Sequence, residues 1–170
     1  MAKMTSAQAA KQLKQLNEQH SALLEMEQKT SVFTAAIQEN IEDARPEYSY
    51  EDVQRNLYEI ERKIIKLKHA LNLFNSTYLI PDYDMTIDQM LVYIPQLTAR
   101  KKKFERMRSR LPKERISNGF TRSASFVEYI HCNYDVKQAE ADYLKAAKEL
   151  AAAQMALDKV NATITFETDD

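Results

Sequence analysis

Apolar residues recur along most of the chain at alternating spacings of three and four, the pattern that lays one stripe along a helix. The clearest run is Val53, Leu57, Ile60, Ile64, Leu67, Leu71 and Phe74. It alternates without a break, as the seam of a left-handed helix pair does. A second unbroken run holds Val136, Ala139, Tyr143, Ala146, Leu150, Ala153, Leu157, Val160 and Ile164. Alanine at alternate core positions lets a partner helix approach toward the short end of the usual ~8–10 Å axis separation. A poorer run, Ala9, Leu13, Leu16, His20 and Leu23, carries a histidine on its seam, which reads as a core-edge residue with its polar tip satisfied. The remaining run passes through Ile87, Leu91, Ile94, Leu97, Phe104, Met107 and Leu111. Pro95 lies inside it and removes one helical hydrogen bond, which predicts a kink or a restart.

Each run is preceded by a start signal. Thr5…Gln8, Ser49…Asp52, Thr86…Gln89 and Asp135…Gln138 all have capping-box spacing, which satisfies orphan backbone amides at a helix start. Helices are therefore expected over about 5–29, 49–74, 86–111 and 135–162. Thr30–Ile37 and Ser123–Cys132 are instead β-branched and aromatic, the latter just after Asn118-Gly119, and read as strands over about 30–37 and 123–132. Two strands alone are marginal in water, so such a ribbon must pack on helices or continue into a neighbouring subunit. The expected fold is mostly α: a single helical domain over 1–170, an antiparallel long-helix bundle or coiled coil of about four helices with a small two-stranded β-ribbon.

Composition narrows the chemistry. The 170 residues include one glycine and no tryptophan, against ~7% glycine in average usage. With Gly119 alone, no phosphate-cradling or dinucleotide-binding glycine motif is present. No apolar leader segment and no run of transmembrane length occur, and a single cysteine forms no internal disulfide. These features predict a cytoplasmic protein with no membrane insertion. Glu128 and His131 have a metal-ligand spacing, but on a strand residues three apart point to opposite faces, so no metal is expected. Cys132 follows His131 directly, and their side chains diverge on a strand in the same way. The thiol reads as a packing residue and not as a nucleophile. Asp82 and Asp84 lack the glycine and the terminal glutamate of a calcium loop. No catalytic residue, no metal and no cofactor is expected, and the chain does not read as an enzyme.

Charge is the strongest local anomaly in a chain whose net charge is only −1. Residues 100–115 hold nine cations against Glu105 and Glu114, a net +7. Residues 38–61 hold eight acids against Arg45 and Arg55, a net −6. The basic run reads as a solvated helix end that suits the C-terminal dipole, as a partner for the acidic stretch of the same or another subunit, or as a contact for a phosphate polyanion. Only Phe104 interleaves it, which argues against stacking on single strands. The candidate interaction residues are Arg100, Lys101, Lys102, Lys103, Arg106, Arg108 and Arg110 on one side and Glu39, Glu42 and Asp43 on the other. Arg100 falls on the seam through Tyr93, Leu97, Phe104, Met107 and Leu111, and is the expected member of a partly buried bidentate pair.

Four segments taken together carry a resemblance: Leu71-Asn72-Leu73-Phe74-Asn75-Ser76-Thr77, Met85-Thr86-Ile87-Asp88-Gln89-Met90-Leu91, Phe126-Val127-Glu128-Tyr129-Ile130, and Val160-Asn161-Ala162-Thr163. In their order the chain resembles the septicolysin-like family of small bacterial helical proteins. That family shows an Ile-Asn-x-x-Asn segment, a Leu-Thr-Asp-Ala-Leu-type helix start and an Asn-Trp-Thr ending. Here Leu71 replaces the isoleucine and Ala162 the tryptophan. The resemblance brings no catalytic residues with it. Its name implies a cytolysin-like toxin, which the chain supports poorly because no membrane-inserting segment is present. The expected function is a non-catalytic, self-assembling structural or scaffold protein of the bacterial cytoplasm, a homo-oligomer. The alternative is a helical module that binds nucleic acid or another polyanion through 100–115.

Overall fold

The computed structural model describes residues 2–116 and 128–168. In chain order these form β1 (Ala2–Thr5), α1 (Ser6–Thr30), α2 (Ile41–Ala44), α3 (Tyr50–Thr77), α4 (Ile87–Arg108), β2 (Lys113–Arg115), β3 (Tyr129–His131), α5 (Val136–Thr163) and β4 (Thr165–Thr168). The fold is mostly α with small antiparallel ribbons. The chain divides into two compact units. One comprises the chain through Tyr78 and from Lys159 onward; the other is Leu79–Asp158. The first unit holds α1 and α3 and the second α4, and the boundary at Asp158 falls within α5, whose last residues belong to the first unit.

In the first unit α1 and α3 run antiparallel, as the cross-helix pairs show. His20 Nε2 meets Glu61 Oε1 at 3.1 Å. Further along, Glu27 Oε1 accepts from Tyr48 Oη at 2.9 Å and from Gln54 Nε2 at 2.7 Å. Thr5 and Gln8 form a complete capping box at the head of α1, and Ser49 caps α3 by accepting from the Asp52 amide. The seams then bury as their spacing requires. Ala9, Leu16 and Leu67 form the core with Phe166, and Leu13, Ile60, Ile64, Leu71 and Phe74 pack against it.

Phe166 belongs to a ribbon that the apolar pattern did not predict. β1 pairs antiparallel with β4, Met4 opposite Phe166 and Ala2 opposite Thr168. The Phe166 ring stacks on Phe74 with centroids 5.1 Å apart, and Thr168 Oγ1 donates to the Ala2 carbonyl at 3.2 Å.

The strand expected over 30–37 is absent. Thr30 ends α1, the Ser31 amide returns to the Glu27 carbonyl, and a turn bond joins the Glu39 amide to the Ala36 carbonyl. Local β propensity had no strand edge there to pair with. The expected strand over 123–132 survives as β3. It pairs with β2, Lys113 opposite His131 and Arg115 opposite Tyr129. Residues 123–127 of that expectation lie outside the described residues.

In the second unit α4 starts at a complete Thr86–Gln89 capping box and continues through Pro95 to Arg108 without restarting. Pro95 is exposed, so the carbonyl left without its helical donor has solvent near it. Before α4, Pro81 and Asp82 make a turn closed by the Tyr83 amide on the Ile80 carbonyl at 3.1 Å. Asp82 has φ 65°, and Pro then a positive φ is the type II pattern. Ile80 is thereby turned inward and buried.

The α5 seam follows its predicted spacing, with Val136, Tyr143 and Ile164 half-buried. Ala139, Ala146, Leu150, Ala153, Leu157 and Val160 are all buried. Asp135 caps α5 by accepting from the Lys137 amide at 2.8 Å, one position earlier than capping-box spacing predicts. Replacing Ala153, which is 0% exposed, with leucine leaves the larger side chain no room. The expected loss is about 1–3 kcal/mol of stability, read as a lower urea midpoint. A raised midpoint would mean that this face is open.

Candidate functional site

The charged stretch of α4 is set by the helical period. From Leu97 the three-four alternation can step three, to Arg100 and on to Met107, or four, to Lys101 and on to Arg108. Ile87, Met90, Ile94, Leu97, Lys101, Phe104 and Arg108, all buried or half-buried, follow the second phase. Met90 and Leu97 are fully buried, Lys101, Phe104 and Arg108 are half-buried, and Arg100 is exposed. Leu91, expected on the seam, lies off that phase and is exposed, and Leu111, also expected there, lies beyond the end of α4 and is exposed. The bidentate pair expected at Arg100 is found at Arg108. Arg108 Nη1 donates to both Glu140 carboxylate oxygens, at 2.9 and 3.0 Å.

The Arg108 guanidinium also lies 3.8 Å from the Tyr143 ring centroid, and Lys101 Nζ lies 6.0 Å from the same ring. Two cations of the basic run therefore rest on one aromatic face supplied by α5. Lys113 lies 4.1 Å from the Tyr129 ring across the β2–β3 ribbon. Such cation–π contacts contribute roughly 0.5–1 kcal/mol at exposed sites. Tyr143, Tyr129 and Glu140 were not singled out by sequence reasoning because they are distant along the chain. The only signal was that Tyr143 lies on the expected α5 seam.

Arg100 acts at longer range. Tyr93 donates its hydroxyl to Glu149. That bond, with partial burial, raises the Tyr93 pKa above the usual phenol value, and the nearby Arg100 charge opposes the rise. Lys102, Lys103, Arg106 and Arg110 are exposed. Arg106, Ser109, Arg110, Leu111 and Glu114 line a shallow depression of about 460 Å³.

Each of the three expected acidic partners has a contact within its own turn. Glu39 Oε2 accepts from the Ala36 amide at 3.1 Å, Glu42 pairs with Arg45 at 3.0 Å, and Asp43 accepts from the Asn40 side chain at 3.1 Å. Further along, Asp52 is held below its ordinary pKa by the Ser49 hydrogen bond first and Arg55 second. Glu39, Glu42 and Asp43 belong to the first unit and the basic run to the second.

The residues considered for catalysis are engaged otherwise. Cys132 Sγ donates to the Leu111 carbonyl at 3.2 Å, and Tyr134 Oη donates to the Met107 carbonyl at 2.8 Å. Burial, with the neighbouring Cys132 as the lesser cause, raises the Tyr134 pKa. The His20 ring is committed to Glu61. Glu128 and His131 are exposed, and among the described residues no group of three or more His, Cys, Asp or Glu side chains is placed to hold a metal ion.

Among the described residues no helix is long and apolar enough to cross a membrane. No protein-family model and no curated protein matches the chain. The fold is similar to that of a functionally unknown conserved protein from Corynebacterium diphtheriae, known from a crystal structure. The two share 16% sequence identity with a TM-score of 0.59, over 98% of this chain and 100% of that one. At that identity the likeness establishes a shared fold.

Proposed function

We infer that the protein is a non-catalytic structural protein that assembles with copies of itself in the bacterial cytoplasm, as a septicolysin-like protein. The observation that carries this reading is a second stripe on α5. Ala141, Leu144, Lys148, Ala151 and Met155 repeat at three-four spacing on the side away from the buried seam, and all are exposed. Leu144 is 57% and Met155 69% exposed. Single exposed apolar residues are ordinary, but two at heptad-compatible spacing, with Ala141 and Ala151 beside them and Lys148 between, make a face that a second helix fits. Light scattering of the wild type is expected to give a multiple of the chain mass. Leu144→Glu with Met155→Glu is expected to lower that mass with unchanged helix content by circular dichroism. A wild type that is monomeric at every concentration removes this reading.

The exposed Lys102, Lys103, Arg106 and Arg110 favour a second reading, a polyanion contact. It requires binding to duplex DNA that weakens steeply with salt and is lost when these four residues are neutralised.

A further inference from the structure

We propose that the turn region between α1 and α3 of one copy docks into the groove between α1 and α3 of a second copy, so that chains join head to tail. The proposal rests on the self-assembly reading above and names a contact for it. The inserting part is residues 32–43. Val32 is 75% exposed, Ile41 56%, and Ile37 106%, with no apolar surface of its own to cover it. Glu39, Glu42 and Asp43 stand among these apolar residues and are also exposed. The segment thus presents apolar side chains and negative charge together.

The receiving groove has the opposite character. It holds about 500 Å³ and is floored by Met4, Leu16 and Leu67. Three cations line it, Arg62, Lys63 and Lys66, against one acid, Glu59. A second depression of about 490 Å³ shares Glu59 and Lys63 and continues the apolar floor through Leu23, Met26 and Ile60. Apolar floor meets apolar side chains, and a cationic lining meets three carboxylates. Opposed potentials of this kind fix register and exclude wrong partners.

The occupant is a second copy for a geometric reason. α1 rises about 1.5 Å per residue, so Leu16 lies roughly 20 Å along the helix from its end at Thr30. The tip begins just beyond Thr30, and Ile37 at its middle is fully exposed, so a chain's own groove does not hold it. A tip and a groove are different surfaces, so the contact is heterologous. Repeated, it closes a ring or extends a filament.

Two variants test the contact by light scattering. The tip variant carries Glu39→Lys, Glu42→Lys and Asp43→Lys; the groove variant carries Arg62→Glu and Lys63→Glu. All five side chains are exposed, so both variants are expected to keep the helix content of the wild type. Each alone sets like charge against like charge and is expected to lose the higher-mass species. Mixed in equal amounts they restore opposite charges at every contact and are expected to recover it. An assembly unchanged in both variants but dissociated by Leu144→Glu with Met155→Glu overturns this contact and leaves self-assembly standing. A monomeric wild type overturns both. A monomer that binds heparin through Arg62 and Lys63 assigns the groove to a polyanion instead, and also overturns the proposal.

Discussion

Phe166→Ala is expected to lower the stability of the first unit by about 3–5 kcal/mol, as removal of a buried phenylalanine does. That is a large part of the roughly 5–15 kcal/mol that typically separates folded from unfolded protein. The effect comes from position as much as size. β1 and β4 have four residues each, and an isolated two-stranded ribbon of that length does not hold itself together. Phe166 anchors it by stacking on Phe74 and completing the core of Ala9, Leu16 and Leu67. The alanine variant therefore loses both the ring and the ribbon that the ring holds in place. Urea unfolding should show a markedly lower midpoint, and amide exchange should quicken in α1 and α3. A midpoint close to that of the wild type would mean that the ribbon is frayed in solution and the core is complete without it.

Leu97→Ala is expected to cost about 2–5 kcal/mol in the second unit. Leu97 is 0% exposed at the middle of α4. The pair Tyr93–Glu149 on one side and the Lys101–Tyr143 contact on the other bring it level with Ala146 of α5. Ala146 is also buried. A small residue opposite a large one leaves no spare side chain to move into the space, so the cavity persists after truncation. Leu97→Met, which conserves volume, is expected to stay within about 1.5 kcal/mol of wild type. If the alanine variant were no worse than the methionine variant, the burial of Leu97 between α4 and α5 would be wrong.

The helices were legible because their signals are local. A capping box needs an N-cap side chain and one residue three positions on, and Thr5, Ser49 and Thr86 each cap as their sequence indicates. The α3 and α5 seams were legible because one face of each is buried along its length. The β1–β4 ribbon was not, since Met4 and Phe166 are single apolar residues in short segments whose meaning depends on pairing across the chain. Thr30–Ile37 was misread for the converse reason: it has strand-forming residues and no partner edge.

The candidate site was legible in composition but not in register. The net +7 of residues 100–115 is plain in the sequence. Which cation turns inward depends on whether the seam steps three or four residues on from Leu97, and Tyr93–Leu97–Arg100 and Ile94–Leu97–Lys101 both keep the three-four alternation. The choice falls on Arg108 because Glu140 and Tyr143 of α5 receive it there.

The β1–β4 ribbon also bears on how the chain is made. A ribosome releases residues in order at roughly 5–20 per second. α1 and α3 therefore emerge some 5–20 s before Phe166, at that rate. Until then the face formed by Leu16, Leu67 and Phe74 lacks the ring that finishes it. Leu79–Asp158 is continuous in sequence and can pack as soon as it emerges. The earliest-synthesised helices are thus the last to be sealed, and in that interval their apolar face is open to a nascent-chain chaperone.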